Sequence, residues 1–399
     1  MTLEDRGETI GLMEPLLISE TSRYRGGLND LALELATKSA AFKSSLPREI
    51  VSALADLVRS MNCYYSNLIE GHETHPIDIE RALQEDYSAD PEKRDLQLEA
   101  KAHISVQSWI DAGSIADTES SAASLCEIHR RFCDALPDSL LWVENPDTKE
   151  KERVIPGKYR TGYVQVGRHV PVSPGAISRF MDRFDRAYGE LGKSSSIIAA
   201  AGAHHRLLWI HPFADGNGRV ARLMSHAMLL RSLDTGGLWS VARGLARKVD
   251  AYKSHLASCD ADRRNDLDGR GTLSEEALSA FTGFFLETCI DQVDFMAGLM
   301  QPAALRERVL LWTKNEYEAG RLPAKAGRLM EAILYRGSLP RGELETTLGM
   351  ADRSARRVAA ELAKAGVLTS QTHKSDLKLA LPARLASTWM PGLFPEKQA

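Results

Sequence analysis

The sequence predicts a mainly helical protein that carries two short β-hairpins. Apolar residues recur at helical spacing from Pro47 to Gly71, and Gly71 supplies a helix end. The alternating run Tyr163–Val166, bracketed by glycines and a proline within residues 154–172, is typical of a small hairpin. The same helical periodicity predicts further helices over residues 29–41, 94–110, 121–136, 174–191, 196–209, 217–233, 241–258 and 274–300.

The C-terminal part has a different pattern from the rest of the chain. Three short helices are predicted between residues 328 and 366, and residues 367–381 then alternate like a second hairpin. This order indicates a winged helix-turn-helix. We therefore expect four parts, which are an N-terminal helical region at 1–115, a core at 116–300, a connecting helix or linker at 301–325 and a winged-helix domain at 326–390.

Composition, net charge and cysteine pattern limit the kinds of function that the protein can have. The 399 residues are 43% hydrophobic and carry a formal net charge of −4, which gives no global attraction to nucleic acid. The N-terminus lacks the pattern of a signal peptide, and no run of 18 apolar residues occurs, so we expect a cytoplasmic protein with no membrane partner. Five cysteines without a Cys-x-x-Cys pair indicate reduced thiols.

The most informative segment runs from His211 to Arg222. It contains a histidine, the carboxylate of Asp215, a glycine-flanked loop and two arginines within a dozen residues. The loop Gly216-Asn217-Gly218 precedes a predicted helix, so its backbone N–H groups can hold phosphate oxygens at the helix N-terminus. Arg219 and Arg222 lie three residues apart on one helix face and point at one anion. These features predict a nucleotide-phosphate site.

Two side chains in this segment fit catalytic roles. Asp215 is a hard carboxylate beside the anion loop, an arrangement that suits Mg²⁺ bound partly through phosphate oxygens. His211 is the nearby side chain whose ordinary pKa suits it to accept a proton at neutral pH.

The residues from His211 to Arg222 match the motif of the Fic family at every specified position. The resemblance implies the helical Fic fold and an enzyme, a protein adenylyltransferase that transfers AMP from ATP to a Tyr, Ser or Thr hydroxyl of a protein. It also implies that His211 deprotonates the hydroxyl and that Asp215 holds Mg²⁺. Gly216, Asn217 and Gly218 would stabilise the transition state, while Arg219 grips the phosphates and Arg222 binds the γ-phosphate.

Two further segments resemble Fic elements. Residues from Gly157 to Gly167 are similar to the family's flap, where Tyr163, Val164, Gln165, Val166 and Gly167 would pair with a target segment as an added strand. Ser66 to Gly71 resembles the inhibitory motif of the family. That resemblance implies that Glu70 pairs with Arg222 and leaves no place for the γ-phosphate, with Ser66 one turn away; outside a Fic chain, Glu70-Gly71 would be only a helix end.

Several alternatives remain open at this point. The chain could transfer or remove another phosphate-containing group, or it could be a nucleotide-sensing transcription regulator that binds DNA through the winged helix. Residues 326–385 carry ten Lys or Arg against six Asp or Glu, and Arg353, Arg356 and Arg357 share one helix face. We favour dimerisation or target docking over DNA binding for this domain. The expected partners are ATP and an unidentified protein, which could be a second copy of the chain.

Overall fold

A computed structural model describes residues 3–144, 149 and 151–395. The protein is mainly α-helical. The helices are α1 Arg25–Ser44, α2 Arg48–Ile69, α3 Pro76–Leu83, α4 Pro91–Asp111, α5 Ala122–Asp134, α6 Ile177–Tyr188, α7 Lys193–Ile210, α8 Asn217–Leu233, α9 Val241–Arg247, α10 Val249–Cys259, α11 Glu275–Leu299, α12 Pro302–Glu318, α13 Ala326–Arg336, α14 Leu344–Leu348, α15 Asp352–Lys364 and α16 Ala386–Trp389.

The strands within the described residues form two small antiparallel sheets. They are β1 Trp142–Glu144, β2 Lys151–Arg153, β3 Ser338–Leu339, β4 Leu368–Thr369 and β5 Leu377–Leu379. The first sheet pairs Val143 with Glu152. The second has the order β3-β5-β4, with Leu339 opposite Leu377 and Leu368 opposite Leu379.

The chain divides into two compact units. Unit 1 comprises residues 1–40, 62–235 and 240–292, and unit 2 comprises residues 41–61, 236–239 and 293–399. Neither unit is a continuous stretch of sequence, in contrast to the four consecutive parts that the sequence suggested. Helix α2 begins in unit 2 and ends in unit 1.

Unit 2 contains the three helices and the sheet of the C-terminal part. Along the chain the order is α13, β3, α14, α15, β4 and β5. Helices α13 and α15 each bury one apolar face, which includes Leu329, Ile333, Val358 and Leu362. The winged-helix assignment stays a prediction, with which this order of elements is consistent.

The N-terminal segment of unit 1 is fixed to the helices by buried polar contacts. The Tyr188 hydroxyl donates to the Leu16 carbonyl at 2.7 Å, and the buried Arg206 donates to the Pro15 carbonyl at 2.8 Å from Nη2. Ser173 donates to the Glu8 carboxylate at 2.7 Å. The first two bonds satisfy backbone carbonyls of a segment that has little regular structure of its own.

Helices α7 and α8 form the centre of unit 1 and carry the predicted site between them. Both are buried over most of their length, and α8 buries Arg219, Arg222 and His226 beside its apolar residues. Among the described residues no helix is both long enough and apolar enough to cross a bilayer.

Candidate active site

The chain reverses sharply at His211, immediately after α7. The His211 backbone N–H still bonds to the Leu207 carbonyl at 3.0 Å, but its φ of 50° and ψ of 60° place it in the left-handed region. A non-glycine residue adopts this conformation at a cost in backbone strain. Pro212 follows, and a proline disfavours the helical conformation of the residue before it. The sequence therefore ends α7 at this point and turns His211 toward the loop.

The imidazole of His211 is poised to accept a proton. Its Nδ1 donates to the Leu208 carbonyl at 3.3 Å, since a carbonyl can only accept, and Nε2 is therefore the unprotonated nitrogen. Burial lowers the pKa of His211 from 6.5 to about 4. The ring is thus neutral at neutral pH, with one lone pair available to a substrate hydroxyl.

The loop after His211 is held rigid by side chains that bind its backbone. Asn217 accepts from the Phe213 N–H at 3.0 Å and donates to the Phe213 carbonyl at 2.8 Å. Phe213 is fully buried and stacks on the His129 ring, with centroids 4.0 Å apart. His129 accepts from the Gly157 N–H at 2.9 Å through Nδ1 and donates to the Asp215 carbonyl at 3.2 Å through Nε2.

The N-terminus of α8 forms a cradle for an anion. Gly216 is the N-cap, with a φ of 80° that side chains rarely adopt. A Cβ at Gly218 would collide with the Glu70 Oε1 atom and would lie 3.1 Å from Arg222 Nη1. The carboxylate of Glu70 therefore rests against the backbone at Gly218, where free N–H groups and the helix dipole favour negative charge.

Arg222 is bound from one side by the end of α2. Its Nε donates to the Ser66 hydroxyl at 2.8 Å, and its Nη2 donates to the Ser66 carbonyl at 3.1 Å and to Glu70 Oε1. The Arg222 side chain is 2% exposed and that of Glu70 is 33% exposed. Burial opposes ionisation of Glu70, but the Arg222 guanidinium outweighs it, so the pKa of Glu70 lies below its usual value.

Arg219 is held by two carboxylates and an aromatic ring. Its Nη1 donates to Glu99 Oε1, and its Nη2 donates to Asp215 Oδ2 at 3.0 Å. The guanidinium carbon lies 4.9 Å from the centroid of the Phe132 ring. Glu99 also accepts from His72 Nδ1 at 2.8 Å, through its other oxygen.

Asp215 is the residue that could hold a metal ion. Its side chain is 52% exposed beside the anion cradle, and one oxygen is engaged by Arg219. Among the described residues no three or more His, Cys, Asp or Glu side chains converge as a metal site would require. A single open carboxylate suits Mg²⁺ that takes its remaining ligands from phosphate and water. The donor set therefore fits a nucleotide-borne Mg²⁺ rather than a resident ion.

The predicted flap hairpin is reduced to a single bridged pair of residues. In place of a hairpin around Tyr163–Val166, the structure has an isolated bridge between Val166 and His169, and the antiparallel pair of unit 1 lies upstream at β1 and β2. The buried Arg160 explains the difference. Its guanidinium donates to the Gly162 and Val172 carbonyls at 2.8 and 2.5 Å, so a side chain occupies positions that a strand ladder would use.

The structure thus brings most of the predicted site residues together. His211, Asp215, Gly216, Asn217, Gly218, Arg219 and Arg222 surround one cradle, and Ser66 and Glu70 contact it. Tyr163, Val164, Gln165, Val166 and Gly167 lie in the irregular segment that precedes it in sequence, in which Gly167 forms a turn with a φ of 62°. Arg160 helps to shape the loop, because its Nε donates to the His211 carbonyl at 2.8 Å.

Sequence reasoning missed Glu99 and His72. Glu99 is almost fully buried on α4, which also buries His103 and Gln107 at spacings of four. Polar residues that recur at helical spacing on a buried face are the sequence signal that could have revealed these positions.

Comparison with known proteins identifies the segment that carries this geometry. Residues 119–229 match the model of the Fic/DOC family. This segment is therefore a Fic domain. The matched segment, here called the Fic domain, begins just before α5 and ends within α8.

Curated relatives of the Fic domain include two fruit-fly proteins. The protein adenylyltransferase Fic of Drosophila persimilis is 29% identical over 171 residues, which are 42% of this chain and 31% of the relative. The protein of the same name from Drosophila melanogaster is 28% identical over 42% of this chain and 32% of its own length. This chain therefore spans about a third of the curated relatives that it matches.

A solved structure extends the likeness beyond the Fic domain. A Fic family protein from Desulfovibrio desulfuricans superposes over 91% of this chain and 98% of its own, with a TM-score of 0.53 and 16% identity. At this identity the similarity establishes the fold alone.

Proposed function

We propose that the chain is a protein adenylyltransferase that transfers AMP from ATP to a Tyr, Ser or Thr hydroxyl of a protein, and that Glu70 holds it inactive. One observation carries the proposal. The Glu70 carboxylate lies against Gly218 and binds Arg222, so a protein anion occupies the helix N-terminus that suits a phosphate. The relatives are protein adenylyltransferases by name, which supports the same reaction.

The reaction begins with the target hydroxyl beside His211. Its oxygen attacks the α-phosphorus of ATP, and its proton passes to His211 Nε2, whose partner nitrogen is fixed by the Leu208 carbonyl. A bond from phosphorus to the target oxygen forms while the bond to the pyrophosphate oxygen breaks. Pyrophosphate leaves, and AMP remains on the protein.

The cradle supplies charge stabilisation rather than covalent chemistry. The backbone N–H groups of Gly216, Asn217 and Gly218 and the guanidiniums of Arg219 and Arg222 face the phosphates. Asp215 would hold Mg²⁺, which neutralises phosphate charge when it is bound. Because Asn217 and the stacked ring of Phe213 fix the loop before substrate arrives, little reorganisation is needed during the reaction.

The segment Tyr163–Gly167 would present the target. Val166 is 46% exposed, and within the described part of the chain no strand pairs with residues 163–165. A segment whose backbone pairs with no strand can accept a target strand through main-chain hydrogen bonds, which would bring the hydroxyl toward His211.

Transfer of label from ATP tests the reaction. ATP labelled at the α-phosphate should label protein when added with the Glu70→Gly variant, whereas ATP labelled at the γ-phosphate should not. The double variant with His211→Ala should show no label. Labelling by the γ-phosphate would indicate transfer of another phosphate group, and loss of pre-bound AMP from a labelled target would indicate removal.

A DNA-binding function has one observation in its favour. Arg353 and Arg357 are exposed on α15, and Lys374 is exposed in the loop that follows β4. A basic helix face can contact DNA phosphates. Salt-dependent binding of the full chain to one promoter sequence, lost in an Arg353→Ala and Arg357→Ala double variant, would support it. A surface used for dimerisation or target docking would show no such sequence preference.

A further inference from the structure

The carboxylate of Glu99 lies at a junction between the phosphate site and the inhibitory segment. Its side chain is 1% exposed. One oxygen accepts from Arg219 on α8, and the other accepts from His72, which follows Glu70 by two residues. A buried carboxylate is retained in a protein only when its charge is paired and its oxygens are bonded, and both conditions are met here.

The two ends of the Arg219 guanidinium meet different surroundings. Nη1 faces the buried Glu99, whereas Nη2 faces Asp215, which is half exposed beside the cradle. The Phe132 ring lies alongside the guanidinium. Glu99 therefore fixes the Nη1 end of the guanidinium, so that Nη2 points toward Asp215 and the cradle at the N-terminus of α8. An arginine fixed in this way loses little side-chain freedom when it binds a phosphate.

We propose that Glu99 is a positioning residue with two roles, which are to aim Arg219 at the nucleotide phosphates and, through His72, to hold the end of the inhibitory segment in place. The proposal rests on the proposed function of the site. It assigns one buried group to both nucleotide binding and inhibition.

The link through His72 explains the second role. His72 lies in the turn that follows Glu70, and its backbone N–H bonds to the Asn67 carbonyl at 3.0 Å. Its imidazole faces Glu99 on α4, Arg219 on α8 and Glu70 itself. The bond to Glu99 thus ties the chain beside Glu70 to α4, and its loss should let Glu70 leave Arg222 more readily.

The first experiment removes Glu99 from the uninhibited enzyme. In the Glu70→Gly background, Glu99→Ala should raise KM and the calorimetric Kd for ATP with Mg²⁺ by about tenfold, because a hydrogen bond to a charged group is lost. The effect on kcat should be smaller. Glu99→Gln keeps an acceptor for Arg219 without the charge, so its KM should lie between those of the parent and Glu99→Ala. Glu92→Ala, an exposed carboxylate on the same helix, is the matched control and should change neither constant.

The second experiment separates the inhibitory role. His72→Ala in the otherwise unchanged chain should raise basal AMP transfer several-fold, since the anchor beside Glu70 is lost. In the Glu70→Gly background the same substitution should leave KM for ATP unchanged.

The following outcomes would overturn the proposal. A KM within twofold of the parent in both Glu99 variants would remove the positioning role, and if Glu99→Ala does not fold, Glu99→Gln alone decides. Basal transfer unchanged by His72→Ala would remove the inhibitory role. Absence of transfer in the Glu70→Gly parent would refute the proposed function, while calorimetry with ATP would still measure the effect of Glu99.

Discussion

Removal of the Glu70 carboxylate should activate the protein. The pair that is lost joins Arg222, which is 2% exposed, to Glu70, which is 33% exposed. A hydrogen bond between charged groups contributes about 1.5–3 kcal/mol, and the partial exposure of Glu70 favours the lower end because solvent screens the charges. At about 1.4 kcal/mol for each factor of ten, Glu70→Gly should raise AMP transfer about 10- to 30-fold.

The assay measures incorporation of α-labelled ATP into the protein itself and into a lysate over time. Glu73→Gly is the matched control, because Glu73 is an exposed carboxylate in the turn region that follows α2. Unchanged labelling in Glu70→Gly, or an equal rise in Glu73→Gly, would refute the reasoning from the Arg222 contact. A rise of more than a thousandfold would show that inhibition uses contacts beyond this one pair.

Three further predictions concern the site and its support. Gly218→Ala in the Glu70→Gly background should raise KM for ATP at least about tenfold in steady-state kinetics, because its Cβ would project into the cradle that Glu70 has vacated; an unchanged KM would contradict the cradle. Because the pKa of His211 is lowered to about 4, the neutral imidazole predominates above that pH. The kcat/KM of Glu70→Gly should therefore be constant from pH 6 to 8 and fall as the pH drops toward 4. A fall in kcat/KM with its midpoint near pH 6.5 would contradict this. His129→Leu leaves the N–H and carbonyl partners of that ring unpaired and should lower the free energy of unfolding in urea by about 2–3 kcal/mol. His103→Leu should change it by less than about 1 kcal/mol, since neither buried ring nitrogen of His103 has a partner within the described structure. A larger loss for His103→Leu than for His129→Leu would refute the comparison.

The helices could be predicted because their signals are local. The predicted helix at 217–233 has the same bounds in the structure, and the predicted helix ending at Gly71 ends at Ile69. One predicted helix is interrupted in the structure by a residue with irregular backbone angles. The helix predicted over 241–258 is divided at Lys248, whose backbone leaves the helical region. The region at 301–325, predicted as a connecting helix or linker, contains the regular helix Pro302–Glu318 with a proline in its first turn.

The residues of the phosphate cradle could be predicted because they are contiguous in sequence. One turn of loop and one turn of helix place His211, Asp215 and Arg222 together whatever the rest of the chain does. Glu99 is more than 100 positions away from Arg219, so only tertiary packing joins them. The short pairing in the flap could not be predicted for a related reason. The buried Arg160 binds the carbonyls on either side of that segment, and its sequence gives no sign of this role.

The same contacts indicate how inhibition and nucleotide binding oppose each other. The closed site pairs two guanidiniums, Arg219 and Arg222, with three carboxylates, Glu70, Glu99 and Asp215. A triphosphate that enters without displacing Glu70 adds negative charge to a cradle whose donors are already engaged. Like charges at about 4 Å repel each other by several kcal/mol near a protein surface. Glu70 and the terminal phosphate should therefore compete for Arg222, so inhibition weakens as ATP concentration rises. When Glu70 is displaced, the guanidinium of Arg222 becomes free to bind phosphate. The guanidinium of Arg219 keeps its orientation, because Glu99 and Asp215 remain bonded to it.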